Sequence, residues 1–148
     1  MRHSCCHRYG IAKFFNRDSY EGEYKFDQSH GWGIYHWNDG RVYGGKQKED
    51  KRHGRGTFRW PDGTMYEKGE FVDRQREGYG KYTFSDGGYY EGSWKDGQYN
   101  RFGICSWEDG QTYRGEWENG TSHGSGVEIY ADGKIRHDGQ WEEDELVR

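Results

Sequence analysis

Proline is almost missing from this chain, at one in 148 residues, and methionine and cysteine are scarce at two and three. Three cysteines, two of them adjacent at Cys5 and Cys6, cannot build a disulfide framework, and reduced thiols suit a cytoplasmic compartment. No apolar run is long enough for a transmembrane helix, and the opening MRHSCCHRYG lacks the apolar stretch of a signal peptide. Basic residues are not in excess either. The net charge of -4 gives no general reason to expect nucleic acid as a partner. Hydrophobic residues make up only 30% against 32% charged, and the mean hydropathy of -1.41 would by itself lean towards disorder.

The pattern overrules the average. Twenty-five glycines accompany 13 tyrosines, seven tryptophans and seven phenylalanines, and they recur with a period of 23 residues. With Tyr20 as position 0, tyrosine returns at Tyr43, Tyr66, Tyr90 and Tyr113, with His137 closing the column. Glycine stands at position 2 in Gly22, Gly45, Gly69, Gly92, Gly115 and Gly139, without exception. The aromatics at position 17 are Phe14, Trp37, Trp60, Phe84, Trp107 and Tyr130. One extra residue enters near Lys68 and another near Arg136. Self-similarity at such a period is the signature of a repeat array, in which stability is summed between neighbouring units.

Local turn chemistry predicts strands. In Trp60-Pro61-Asp62-Gly63-Thr64, proline and aspartate suit the corner of a type I turn, and glycine takes the left-handed residue that follows. This three-residue loop with a glycine bulge pairs Trp60 with Thr64 and Phe58 with Tyr66; in the preceding unit it pairs Trp37 with Arg41, Tyr35 with Tyr43 and Gly33 with Gly45. Side chains alternate along a strand, so one face carries rings laid over glycines, and the other carries Glu21, Glu23, Lys46 and Lys48 in solvent. The predicted fold is all-β: an elongated single-layer antiparallel sheet of tandem β-hairpins. At about 4.8 Å per strand it is about 55 to 60 Å long.

On these columns, and on His-Gly-x-Gly and Asp-Gly runs such as His30 to Gly33 and Asp39-Gly40, the chain resembles the MORN (membrane occupation and recognition nexus) repeat family. The resemblance covers about His7 to Glu143. It divides the chain into a tail of residues 1–6, an array of 7–143 and a tail of 144–148. Within the array are a half repeat (7–19), repeats starting at 20, 43, 66, 90 and 113, and a terminal strand from 137. Arg8 and Arg17 replace expected glycines, so the first half repeat is expected to be weak and to fray. Glu142 to Glu145 read as a polar cap against further strands.

The aromatic face is the main candidate for partner binding: Tyr20, Tyr43, Tyr66, Tyr90 and Tyr113, with Tyr24, Phe71, Trp94 and Trp117 at position 4 and Trp37, Trp60, Phe84 and Trp107 at position 17. The alternative is that these rings are consumed in stacking on one another and on glycine. Lys46, Lys48, Lys51, Arg52 and Arg55 form a basic segment suited to an anionic ligand; Lys46 and Lys48 point off the aromatic face, and Lys51 and Arg52 are expected to occupy a loop, which is also where ordinary solvated charge collects. Cys5 and Cys6, beside Arg2 and Arg8, suit reversible S-acylation better than metal capture with His3 and His7, with an unmodified tail as the plainer alternative. His30, His53 and His123 at position 10 lie about 10 Å apart along the array, too far to share a zinc ion. They are expected to fasten their loops by hydrogen bonds. Cys105 reads as a buried structural thiol. No metal, cofactor or catalytic group is expected.

The resemblance implies a non-catalytic scaffold of a cytoskeletal or ciliary assembly, holding a helix or extended peptide along its aromatic face or pairing with a second copy. Two other expectations stand beside it: a peripheral adaptor for anionic lipid, and a regulatory repeat module of a larger enzyme. Members of the family carry a lipid-kinase or lysine methyltransferase domain after their repeats, for which this chain has no room.

Overall fold

The computed structural model describes residues 7–147, and every regular element among them is a strand. The first six are β1 (His7–Lys13), β2 (Ser19–Lys25), β3 (Gln28–His36), β4 (Val42–Lys48), β5 (Lys51–Arg59) and β6 (Met65–Val72). The remainder are β7 (Gln75–Thr83), β8 (Tyr89–Lys95), β9 (Gln98–Ser106), β10 (Thr112–Glu118), β11 (Thr121–Ile129), β12 (Ile135–Glu142) and β13 (Glu145–Val147). All thirteen join one sheet in sequence order, each antiparallel to its neighbours, as the turn chemistry predicts.

Two kinds of turn alternate. The Asp-Gly loops close as expected: the Trp60 amide donates to the Thr64 carbonyl at 2.9 Å and the Gly63 amide to the Trp60 carbonyl at 3.1 Å, with Gly63 at φ 93. Tyr35 pairs with Tyr43, Gly33 with Gly45 and Phe58 with Tyr66, in the predicted register. The other hairpins turn on two residues that both have positive φ, which is the type I′ geometry that matches the twist of its strands. Glycine supplies only some of these positions. Phe26-Asp27, Glu49-Asp50, Asp73-Arg74 and Glu143-Asp144 adopt the geometry with none. A hydrogen bond outside the hairpin holds several of them: the Asp50 amide donates to the Ser29 carbonyl, Arg74 to Arg52, Gly97 to Arg76, Gly120 to Tyr99 and Asp144 to Ser122, all at 3.0 to 3.1 Å. Each of these five turns is thereby tied to the repeat before it.

Between the turns lies a bulge. Gly22 opposes Gly33 but Tyr24 opposes Ser29, so His30, Gly31 and Trp32 together face Glu23. The amide freed by the bulge is satisfied by the glutamate at position 3: the Trp32 amide donates to Glu23 Oε2 at 2.6 Å and the Ser125 amide to Glu116 Oε2 at 2.7 Å. Part of the charge on that face is therefore used by the backbone.

The core is a stack of tyrosines on glycines. A Cβ added at Gly33 would stand 2.1 Å from the Tyr20 hydroxyl, and at Gly103 2.2 Å from that of Tyr90. The same hydroxyl donates to the carbonyl three residues on, Tyr20 to Glu23 at 2.9 Å and Tyr43 to Lys46 at 2.7 Å. Tyr43, Tyr66 and Tyr90 are completely buried. The position-4 ring then stands edge-on to two tyrosines at once: Trp94 makes 84° with Tyr90 and 86° with Tyr66, at centroid distances of 5.2 and 5.3 Å. Indole N–H groups complete the joint, Trp94 Nε1 donating to the Gly80 carbonyl and Trp117 Nε1 to that of Gly103.

Several expectations are corrected. Glu142 to Glu145 do not stop the sheet: Glu143-Asp144 occupy the turn slot of Glu49-Asp50, and β13 follows. Lys51 and Arg52 belong to β5 rather than to a loop, because the turn is only two residues long. β1 pairs with β2 along all seven of its residues, and Arg17 takes the glycine slot at φ 73. The face opposite the core rings is not only charged. It also exposes Tyr9, Ile11, Trp32, Ile34, Tyr79 and Phe102.

Two measurements probe this core. Burial pushes the hydroxyls of Tyr20 and Tyr113 up to about 12 and raises those of Tyr43, Tyr66 and Tyr90 as well. The neutral form is favoured in the folded state, so this stability is fully present below the free tyrosine value of about 10 and is lost as the pH rises from there towards the folded values. Tyrosinate absorbance and strand dichroism should therefore change together in strong base; ionisation of these rings in an intact sheet would contradict the packing. Substitution of glycine should depend on position. Gly103→Ala, driven into Tyr90, should cost about 1 to 3 kcal/mol or more, whereas Gly44→Ala, whose nearest atom is 3.9 Å away, should be neutral or stabilising in chemical denaturation.

Candidate docking groove

Two rails of rings run along the core face. One joins the position-0 and position-4 rings from Tyr43 through Phe71, Tyr66, Trp94, Tyr90, Trp117 and Tyr113 to Trp141. The other joins positions 15 and 17 from Phe14 through Tyr35, Trp37, Phe58, Trp60 and Tyr82 to Phe84. The rails are not equally available. Tyr20, Tyr43, Tyr66, Tyr90 and Tyr113 are 0 to 2% exposed and Phe71, Trp94 and Trp117 only 4 to 7%; of the position-4 rings in the expected groove, Tyr24 is the half-buried one. Trp37, Trp60 and Phe84 are half-buried, and Trp107 is 46% exposed. Accessible ring surface thus belongs mainly to the position-17 rings, those of the second rail and Trp107 beyond its end, while Phe58 within that rail is buried and the first rail is internal packing.

Openings occur where a repeat departs from its pattern. Ala12 replaces the position-15 ring and Gln47 the position-4 ring, and between them lies a cleft of about 840 Å³ lined by the rings of Phe14, Tyr24, Tyr35, Trp37 and Tyr43 and by the charged Asp27, Asp50, Arg41, Arg52 and Arg74. Gln47 does not restore the rail. It is buried and accepts a 2.7 Å hydrogen bond from the Ser29 hydroxyl. A second opening of about 310 Å³ lies where Cys105 takes the place of a ring, bounded by Phe84, Trp107, Tyr113 and Trp117. The Cys105 thiol is buried and pushed up to about 11, which leaves it protonated and unreactive.

The basic segment does not act as one patch. Lys46, Lys48 and Arg55 are exposed on the face away from the rings, where Lys51 pairs with Lys48, Lys46 with Trp32 and Arg55 with Glu70. Arg52 alone turns to the core face, opposite Gln47. Its guanidinium lies over Phe58 at 5.1 Å and Phe71 at 5.5 Å. Arg76, one repeat later and opposite Phe71, does the same over Trp94 at 4.9 Å and Tyr82 at 5.1 Å. Arg74 and Arg41 line the same cleft. The repeat columns could have revealed the pair, since Arg52 and Arg76 share position 9; a reading confined to runs of basic residues missed it.

The histidine column behaves unevenly. His123 Nε2 lies 3.4 Å from Glu118, and Glu77, standing in for histidine, accepts the Asp96 amide at 3.1 Å. His53 Nδ1 is buried without a hydrogen-bond partner, so the expected fastening does not hold there. Among the described residues no group of three or more His, Cys, Asp or Glu side chains is arranged to hold a metal ion. Cys5 and Cys6 lie outside the described residues.

The model of the MORN repeat matches the chain five times in tandem, over residues 20–40, 48–65, 68–89, 90–112 and 113–135. The chain belongs to the MORN-repeat family. No curated protein matches it. MORN repeats are often engaged in protein or membrane interactions, and no helix here is long and apolar enough to cross a membrane. The gap at residues 41–47 between the first two matches covers the stretch that ends at Gln47, where this array departs from the MORN pattern and the large cleft opens.

Ring burial separates structural from accessible positions. Trp117→Ala removes a buried ring and its bond to Gly103, and should cost about 3 to 5 kcal/mol. Trp107→Ala should cost well under half of that. Equal losses in chemical denaturation would show that both rails carry the fold alike.

Proposed function

We propose that this MORN array is a non-catalytic scaffold that takes a helix or extended segment of a protein partner along its core face. One observation carries the reading: a single-layer sheet keeps Trp37 accessible at the large cleft and Trp60, Phe84 and Trp107 accessible further along the same face, and no element among the described residues lies across them. Half-buried tryptophans in a concave, mostly preformed surface are the usual anchors of a protein interface. The buried tyrosines beneath hold those rings in place without competing for the partner. A cytoskeletal or ciliary setting is part of the proposal and rests on the family resemblance alone.

A second reading, peripheral attachment to anionic membrane, draws on Lys46, Lys48, Lys51 and Arg55 sharing the face opposite the rings. Exposed Trp32 and Phe102 on that face add apolar contact. The two readings use opposite sides of the ribbon and separate cleanly. Under the first, alanine at Trp37 and Trp107 should lower capture of partners from lysate by about tenfold or more with strand dichroism retained, while Lys46→Gln with Lys48→Gln leaves capture unchanged. Capture indifferent to the tryptophans but lost with the lysines would transfer the function to the other face.

A further inference from the structure

Arg41, Arg52, Arg74 and Arg76 meet around one cleft of about 220 Å³ on the core face, floored by Phe58 and Phe71. Like charges gathered in this way repel, and here little relieves them. Arg41 Nε is paired with Asp39 at 2.9 Å. Among the described residues Arg52, Arg74 and Arg76 have no carboxylate partner, and no carboxylate lines the cleft. Arg52 and Arg76 each reach a backbone carbonyl only at long range, Arg74 at 3.4 Å and Gly97 at 3.3 Å, and their Nε atoms are buried with no hydrogen-bond partner. An unsatisfied buried donor is costly to keep, so the arrangement stores a demand for an acceptor.

We propose that this cleft receives a phosphomonoester carried on the docked peptide segment. The inference rests on the scaffold reading above and specifies the chemistry of what docks. A carboxylate offers one negative charge and two oxygens, which a single arginine fork satisfies. A phosphomonoester brings a charge of about -1.5 to -2 and three acceptor oxygens, which suits three or four convergent guanidiniums. The setting favours a peptide over a bilayer. The arginines stand in a groove rather than on a plane, and the lysines that would complete a membrane-facing plane point the other way. The rings under Arg52 and Arg76 hold the guanidinium planes in place before any ligand arrives.

The test uses the full chain in isothermal titration with three peptides of one neutral sequence carrying serine, glutamate or phosphoserine at the centre. Beside it runs sedimentation with phosphatidylcholine vesicles containing phosphatidylinositol phosphates. The phosphoserine peptide should bind about tenfold or more tightly than the other two and weaken as salt rises. Arg74→Gln, on an exposed side chain that supports no ring, should weaken it about fivefold or more, while Lys48→Gln and Arg55→Gln should not. Failure of the phosphoserine peptide to exceed its serine and glutamate counterparts would overturn the inference and leave docking through Trp37 and Trp107 standing. Vesicle binding abolished by Arg74→Gln, without phosphopeptide binding, would assign the cleft to a lipid headgroup and overturn it equally.

Discussion

Everything in this ribbon depends on a tyrosine ring lying flat where two neighbouring strands carry glycine. The contact is too close for any other residue: Gly22 and Gly33 face each other across the ladder, and a Cβ on the first would stand 2.4 Å from the Cα of the second and 2.7 Å from the Tyr20 hydroxyl. Glycine in a strand ordinarily weakens it, since it leaves nothing to pack. Here the missing side chain is the seat, and the ring covers the backbone of both strands while its hydroxyl closes on a carbonyl in its own strand. Because the position-4 rings Phe71, Trp94 and Trp117 wedge edge-on between one tyrosine and the next, the units from Tyr43 onward are locked to one another. A sheet with no second layer can then exclude water from its backbone on one side, with stability summed from neighbour to neighbour.

That constraint divides the aromatic residues into two populations the sequence does not separate. Tyr90 and Trp107 are both conspicuous rings on the same face, yet Tyr90 is wholly buried and Trp107 is 46% exposed. Alternation along a strand assigns a residue to a face and says nothing of its depth. Depth comes from the bulge and the type I′ turn, which tie hairpin tips back to the previous repeat and wall the groove. Neither has a dependable local signature here. Glu49-Asp50 and Asp73-Arg74 are unlike turn pairs such as Asn119-Gly120, and they reach positive φ because strand pairing and a backbone bond to Ser29 or Arg52 hold them there. Missing that turn is what put Arg52 in a loop and ended the sheet before Glu145. The Asp-Gly loops, by contrast, were legible with their registers, because their geometry is encoded within five residues. The exposed row of Tyr9, Trp32, Tyr79 and Phe102 was missed for a related reason: attention to the glycine-rich face left the opposite one described only by its charges.

The features that offer function are departures from the repeat. A perfect array would present the same ledge every 23 residues, and a segment docking on identical rings would have no preferred register along the ribbon. Discrimination needs a difference in free energy between one register and the next. Ala12 and Gln47 supply a void at one place, Cys105 a smaller one at another, and the arginines at Arg52 and Arg76 put charge on two adjacent repeats where other repeats carry Ser29, Tyr99 or Ser122. Tyr99 shows the cost of regularity in that same column, since it stacks on Tyr90 at 3.8 Å and 8° and so closes over the core instead of reaching for a ligand. The glycines and tyrosines can hardly change without loss of the fold, so specificity has to be written in the columns that do not build the seat. Positions 9, 15 and 17 are those columns here, and they line the groove.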